Sequence, residues 1–270
     1  MRNSKVSVCI PTYNGERFLK ATLDSIINQS YDNIEIIVTD DCSSDGTIKL
    51  ITDKYPNVIV SVNEKQLGLT GNWERSVSKA TGEYIKLMGQ DDVLDPDAIR
   101  LQVESLENNP GSALSIGQTN VINEYGRVLM TRRLSRKNFC SDGRKFARRS
   151  LWCRNIYCEP SNVLYRSDIK IPYDSNFKYV PDWDHNIALA LHGNVCYVAH
   201  TIMSFRVSSS SETSRLHKSN TQTINNEAYD LMDKYRSTLD IPFFQVAVFR
   251  MATITRSMLR NLFLKFQVTE

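Results

Sequence analysis

The chain has 270 residues, 41% hydrophobic and 23% charged, which suits one large α/β domain with an appended helical segment. Lys and Arg total 33 against 30 Asp and Glu, and a net charge of only +3 argues against a general nucleic-acid binder. The first apolar run, Val6–Ile10, is short and turns at Pro11, unlike a secretory leader, and no apolar run reaches bilayer length. Six scattered cysteines without zinc spacing predict reduced thiols in a cytoplasmic protein.

In chain order, Val6–Ile10 reads as a buried strand and Glu16–Asn28 as a helix with Phe18, Leu19, Leu23, Ile26 and Ile27 at helical spacing. Strands at Ile34–Thr39, Val58–Val62 and Tyr84–Met88 alternate with helices at Asp45–Lys54 and Asn72–Ala80. This alternation predicts a Rossmann-like, mainly parallel sheet with helices on both faces. Ligands of such sheets bind beyond the carboxyl ends of the strands, so the residues placed there matter most.

Strand one runs into Pro11, Thr12, Tyr13, Asn14 and Gly15, a turn that lets backbone approach a ligand while Tyr13 offers a flat face. Strand two runs into Asp40 and Asp41. A carboxylate there can accept from a base imide or a ribose hydroxyl, whereas Ser44 or Asp45 serves to cap the next helix. The glycine pattern of a dinucleotide loop is missing, which removes NAD and FAD. Strand four, in GEYIKLMGQDD, ends on Gln90, Asp91 and Asp92, and two adjacent carboxylates repel unless a donor or a cation joins them. Mg²⁺ or Mn²⁺ bound by one or two carboxylates plus substrate phosphates fits that need. The plainer reading is that Asp92 or Asp95 caps the helix opened by Pro96.

Farther on, a helix (Pro96–Glu107), a strand (Ala113–Thr119) and a hairpin at Glu124–Arg127 precede a strongly basic stretch, Thr131–Arg154. That stretch reads as a mobile, solvated insertion, or as an attractor of an anionic acceptor. Cys158–Arg166 reads as a loop feeding a strand, and Tyr179–Asn186 leads into a helix at Ile187–His192, with Asp182 placed to cap it. From Gln222 the chain turns helical, with an apolar stripe from Phe244 to Phe266 flanked by arginines. Such a stripe suits an anionic membrane surface, a homodimer partner or its own domain equally well.

The run VSVCIPTYNGERFLKATLDSIINQSYDNIEIIVTDDCSSDGT, followed by NEKQLGLTGNWERSVSKATGEYIKLMGQDDVLDPDAI, resembles the N-terminal half of the inverting family 2 glycosyltransferases of the GT-A fold. The resemblance implies transfer of a sugar from a nucleotide-diphosphate donor, UDP-linked above all, to a carbohydrate or lipid-linked acceptor hydroxyl with Mn²⁺ or Mg²⁺. It implies that Pro11, Tyr13 and Asn14 border the nucleobase, that Asp41 with Asp40 reads it, and that Gly68, Asn72 and Arg75 adjoin the diphosphate at a helix start. Gln90, Asp91 and Asp92 stand at the family's DxD-type metal motif. Gly89 replaces a third acid there, so the cation is expected mainly on Asp92. Pro181 replaces the Glu of the family's Glu-Asp pair, so the general base falls to Asp182, with Asp184 behind it. No QxxRW motif occurs, which implies one sugar added per acceptor, in cell-surface polysaccharide assembly. His217, just past the Ser208–Ser211 run, leaves three roles open: a metal ligand or a diphosphate contact once its loop closes, or a solvated side chain. Gly89 and Pro181 leave open a second reading, a nucleotide-sugar-binding partner without turnover. The expected layout is a donor half (1–110) and an acceptor half (111–215) of one domain, then a helical segment (216–270). It would work in the cytoplasm, at the inner face of the membrane through peripheral contact of the C-terminal helix.

Overall fold

The computed structural model describes residues 3–153, 155–208, 221–253 and 255. Strands β1 (Val6–Thr12), β2 (Ile34–Asp40), β3 (Ile59–Val62) and β4 (Tyr84–Leu87) alternate with helices α1 (Glu16–Ile27), α2 (Thr47–Lys54) and α3 (Gly68–Val77). The four strands are parallel, in the order β3-β2-β1-β4. Val6, Val8 and Ile10 of β1 face the core layer that holds Leu19, Leu23 and Ile99, while Cys9 faces the opposite layer. A parallel strand covered on both faces needs this near-continuous apolar run.

The sheet continues through β9 (Leu164–Arg166), β6 (Ser112–Ile122), β10 (Asn194–Arg206) and β5 (Val93–Leu94), with β7 (Val128–Arg132) on β6 and β8 (Phe139–Ser141) on β10. Strand β9 runs antiparallel to both β4 and β6, so it joins the parallel half to a mixed half. Helix α4 (Ala98–Glu107) covers one face. The other face carries α5 (Gly143–Cys153), α6 (Pro181–Ala190) and α7 (Thr221–Arg236).

Two expectations change, and one that was left open is narrowed. The basic stretch is built into the fold: it supplies the end of β7, then β8, then α5. Phe146, Ala147, Ser150 and Leu151 recur on one face of α5 and are buried, which leaves the arginines outside. A Cβ on Gly143 would lie 1.8 Å from the Ala190 carbonyl oxygen, so only glycine lets α5 begin against the end of α6. Cys140 and Cys196 form a disulfide, because antiparallel pairing sets them opposite each other on β8 and β10. Finally, the helical segment 243–253 packs on its own domain through buried Val246 and Phe249, the latter 6.2 Å from the Trp183 ring. Arg154, His217 and the stripe beyond residue 255 lie outside the described residues. Among the described residues no helix is long and apolar enough to cross a membrane.

Candidate active site

Thr12 pairs with Asp40 and Asp40 with Val62, so three strands end in register and their loops share one edge. Two of those loops are sewn together. Asn14 Oδ1 accepts from the Ser44 N–H at 2.9 Å, and the Gly15 N–H donates to Thr47 Oγ1 at 2.8 Å. Gln90, arriving from β4, clasps Tyr13 through both backbone groups at 3.0 Å. A Cβ on Gly15 would sit 2.4 Å from Gln90 Oε1, so the clasp needs glycine there. Gln90 therefore fixes the lip of the site, and it leaves the Tyr13 ring exposed with Pro11 half-buried behind it.

Asp40 and Asp41 differ in role. Asp40 is fully buried, accepting from Thr12 Oγ1 at 3.1 Å and the Ser43 N–H at 2.8 Å. It braces the turn and is not presented to a base, contrary to the expectation. Asp41 accepts from Asn63 Nδ2 and the Leu67 N–H, both at 2.8 Å, and from the Gly68 N–H at 2.9 Å. Those last two donors open α3, so the helix start expected to receive an anion already holds the chain's own carboxylate. Gly68, at φ 75°, permits the bend. Asn72 is buried and ties the strand ends, its Nδ2 donating to the Thr12 and Thr39 carbonyls at 3.3 and 3.2 Å. Arg75 stands exposed in the last turn of α3, roughly 10 Å of helix rise from Gly68. The sequence placed it one turn into the helix, whereas α3 begins earlier, at Gly68.

The acidic pair shows the sharpest division. Asp92 is buried, with Ser161 Oγ donating to Oδ2 at 2.5 Å and the Arg206 N–H to Oδ1 at 3.2 Å. Burial and the neighbouring Asp91 charge push its carboxyl well above the usual range. Asp91 is the more accessible of the two, and burial raises it as well, against the pull of Arg206. Behind them lies Lys86, fully buried, its Nζ donating to Gln102 Oε1 at 2.8 Å. Burial lowers this lysine to about 7 while Asp92 pulls it upward.

A Cβ on Gly89 would lie 3.0 Å from Asp92 Oδ2 and 3.3 Å from Asp91 Oδ1, so one oxygen of each carboxylate borders the same small space. Among the described residues no group of three or more His, Cys, Asp or Glu gathers to hold a metal. Two hard oxygens and a counter-charge deficit nevertheless fit a cation completed by substrate phosphate and water. Ser161 and the Arg206 amide occupy the Asp92 carboxylate, whereas Asp91, expected to be the lesser ligand, is the more accessible of the two.

Asp182 lies in the first turn of α6 behind Pro181 and makes no side-chain cap. Its Oδ2 accepts from Asn155 Nδ2 at 3.1 Å, and burial raises its carboxyl to about 7, with the nearby Glu159 charge adding to the rise. Asp182 lines a cleft with Leu87, Pro160, Val163 and Asn186. Asn186, one turn on, is buried with no partner for Nδ2. Glu159 has one oxygen paired with Arg132 and the other buried without a partner, and its charge is felt by both Asp92 and Asp182. Glu159 thus links Asp92 and Asp182 electrostatically. Asp184 is already engaged: Lys234 Nζ at 2.8 Å and the Tyr235 hydroxyl at 2.9 Å occupy its side chain. His185 is buried, stacked 4.1 Å from Tyr173, and burial lowers it to about 4.

Ser161, Glu159, Asn186, Arg206 and Lys86 escaped individual notice in the sequence. Lys86, interrupting the apolar strand YIKL, was the one visible anomaly.

The family model described as glycosyl transferase family 2 matches residues 7–170. Abequosyltransferase RfbV of Salmonella typhimurium is 40% identical over 103 residues, 36% of this chain and 31% of that protein. The putative glycosyltransferase EpsE of Bacillus subtilis is 37% identical over 109 residues, 39% of each chain. The match thus spans 31% and 39% of these relatives' lengths. A crystal structure of S. aureus TarS 1-349 in complex with UDP-GlcNAc superposes with a TM-score of 0.66 at 17% identity, covering 91% of this chain and 78% of that one. With the fold, the family match and the strand-end carboxylates in agreement, this chain belongs to glycosyl transferase family 2 and adopts the GT-A fold.

Proposed function

We propose that the chain is an inverting, divalent-cation-dependent glycosyltransferase that moves one sugar from a UDP-sugar to an acceptor hydroxyl in polysaccharide assembly. The observation that carries the reading is Asp182, a cleft-lining carboxylate raised to about 7, whose neighbour Glu159 also acts on Asp92 at the end of β4. A base poised near neutrality takes a hydroxyl proton most effectively. One relative favours a UDP donor: WfgD of Escherichia coli, a UDP-Glc:alpha-D-GlcNAc-diphosphoundecaprenol beta-1,3-glucosyltransferase, is 29% identical over 124 residues, 46% of this chain and 49% of that protein.

In this reading Asp182 accepts the acceptor's proton while the freed oxygen attacks the anomeric carbon and the bond to the diphosphate breaks. Asn155 holds Asp182 in place. Tyr13 and Pro11 flank the base, and Asp41 reads it at the cost of its hold on Leu67 and Gly68. Asp91, backed by Asp92, would hold Mn²⁺ or Mg²⁺. Such an ion supplies charge stabilisation to the departing diphosphate. A raised, cleft-lining Asp182 favours this reading over a binding partner without turnover.

The test is a screen of UDP-glucose, UDP-galactose and UDP-N-acetylglucosamine with Mn²⁺, by thermal shift and UDP release. Stabilisation by one donor and turnover lost in Asp182→Asn are the expected results. Full turnover in that variant would overturn the assignment.

A further inference from the structure

Helix α5 has no role in the chemistry above, yet it has the most one-sided exterior among the described helices. Its sequence, GRKFARRSLWC, holds four cations and no acid. Arg144, Arg148 and Trp152 recur every fourth residue and share one face, with Lys145 and Arg149 beside them, and all five are exposed. Trp152, 40% exposed, meets Phe244 edge-on at 6.3 Å, and Phe244 and Phe243 are 63% and 75% exposed. The Arg236 guanidinium covers one face of Phe243 at 3.6 Å. Large aromatic rings left in water beside unpaired arginines are costly for an isolated soluble surface.

We propose that this face, α5 together with Phe243 and Phe244, docks on an anionic phospholipid surface. Cations attract the headgroup charge, while Trp and Phe enter the boundary with the acyl chains. Among the described residues only two of the neighbouring cations are answered by acids, Arg144 by Asp240 at 3.6 Å and Arg250 by Asp233 at 3.5 Å, which leaves Lys145, Arg148 and Arg149 for lipid phosphate. The placement also suits the chemistry. Trp183 of α6 donates to Ser150 of α5 at 3.1 Å, and Asn155, just past α5, holds Asp182. The docking helix is thereby braced against the helix of the base, which sets a lipid-linked acceptor hydroxyl within reach. That last step rests on the transferase reading, whereas the docking itself does not.

Co-sedimentation of the full chain with phosphatidylcholine vesicles, with and without phosphatidylglycerol, tests docking without any donor. Binding is expected only to the anionic vesicles, weakening with salt. Arg148→Glu with Arg149→Glu is expected to reduce it by about tenfold or more, and Phe243→Ser with Phe244→Ser to lower it at all salt concentrations. These side chains are exposed, so unchanged thermal unfolding confirms that the variants fold. Equal binding to neutral vesicles, no binding, or binding indifferent to both variants would sink the proposal. So would an aromatic variant that converts a dimer to a monomer and leaves vesicle binding intact.

Discussion

The parallel and mixed halves handle negative charge in opposite ways. At the ends of β1 and β2, Asp40 and Asp41 spend their oxygens on protein donors: Thr12, Ser43, Asn63 and the opening amides of α3. Across the junction, Asp91, Asp92 and Asp182 are raised by burial and, for Asp92 and Asp182, by other carboxylates. The first region satisfies its charges and gains a rigid frame. The second leaves charge uncompensated, which is the state a site needs if substrate or cation is to supply the balance.

The contrast breaks most visibly at Asp182. Asp182→Asn is expected to cut transfer by roughly 10²- to 10⁴-fold, read as released UDP. In the wild type the ionised form is the active one, so the rate should fall as pH drops through about 7. Stability moves the other way. The unfolded carboxyl ionises near its ordinary 3.8 and the folded one near 7, so between those values rising pH destabilises the fold, and Asp182→Asn should melt higher at pH 8.

Asp91→Asn should abolish stabilisation by Mn²⁺ plus donor and reduce transfer by about 10²-fold, while the melting temperature without ligand changes little. Asp92→Asn should instead disturb the fold, since Ser161 and the Arg206 amide depend on that carboxylate. Equal Mn²⁺ responses in the two variants would erase the distinction drawn between these neighbours.

In the satisfied region the expected loss is one of stability. Asp41→Ala strands the Leu67 and Gly68 amides and Asn63, at a cost of about 2 kcal/mol or more, measurable by denaturant unfolding. Donor affinity should fall with it. Arg75→Ala is the mildest case: exposed in the last turn of α3, it should change donor affinity less than about twofold by titration. A tenfold loss would show that Arg75 reaches the diphosphate after all.

Residue order and type made the alternating strands, the lip at Pro11 to Gly15, the paired acids after β4 and the acids after Pro181 legible, because short-range periodicity and turn chemistry write them locally. Which acid is spent and which is free was not legible. Asp40 and Asp41 are both spent, while of the adjacent Asp91 and Asp92 only the second is, and the partners that decide this, such as Asn63, Leu67, Ser161 and Arg206, lie 20 or more positions away. The same holds for the basic stretch, which becomes a packed helix only because α6 offers it a surface. Sequence by itself determined the family frame and the stations where chemistry can stand. Tertiary structure alone decided which carboxylates are satisfied, since a hydrogen-bond partner or a low-dielectric wall comes from segments that meet only when the sheet closes.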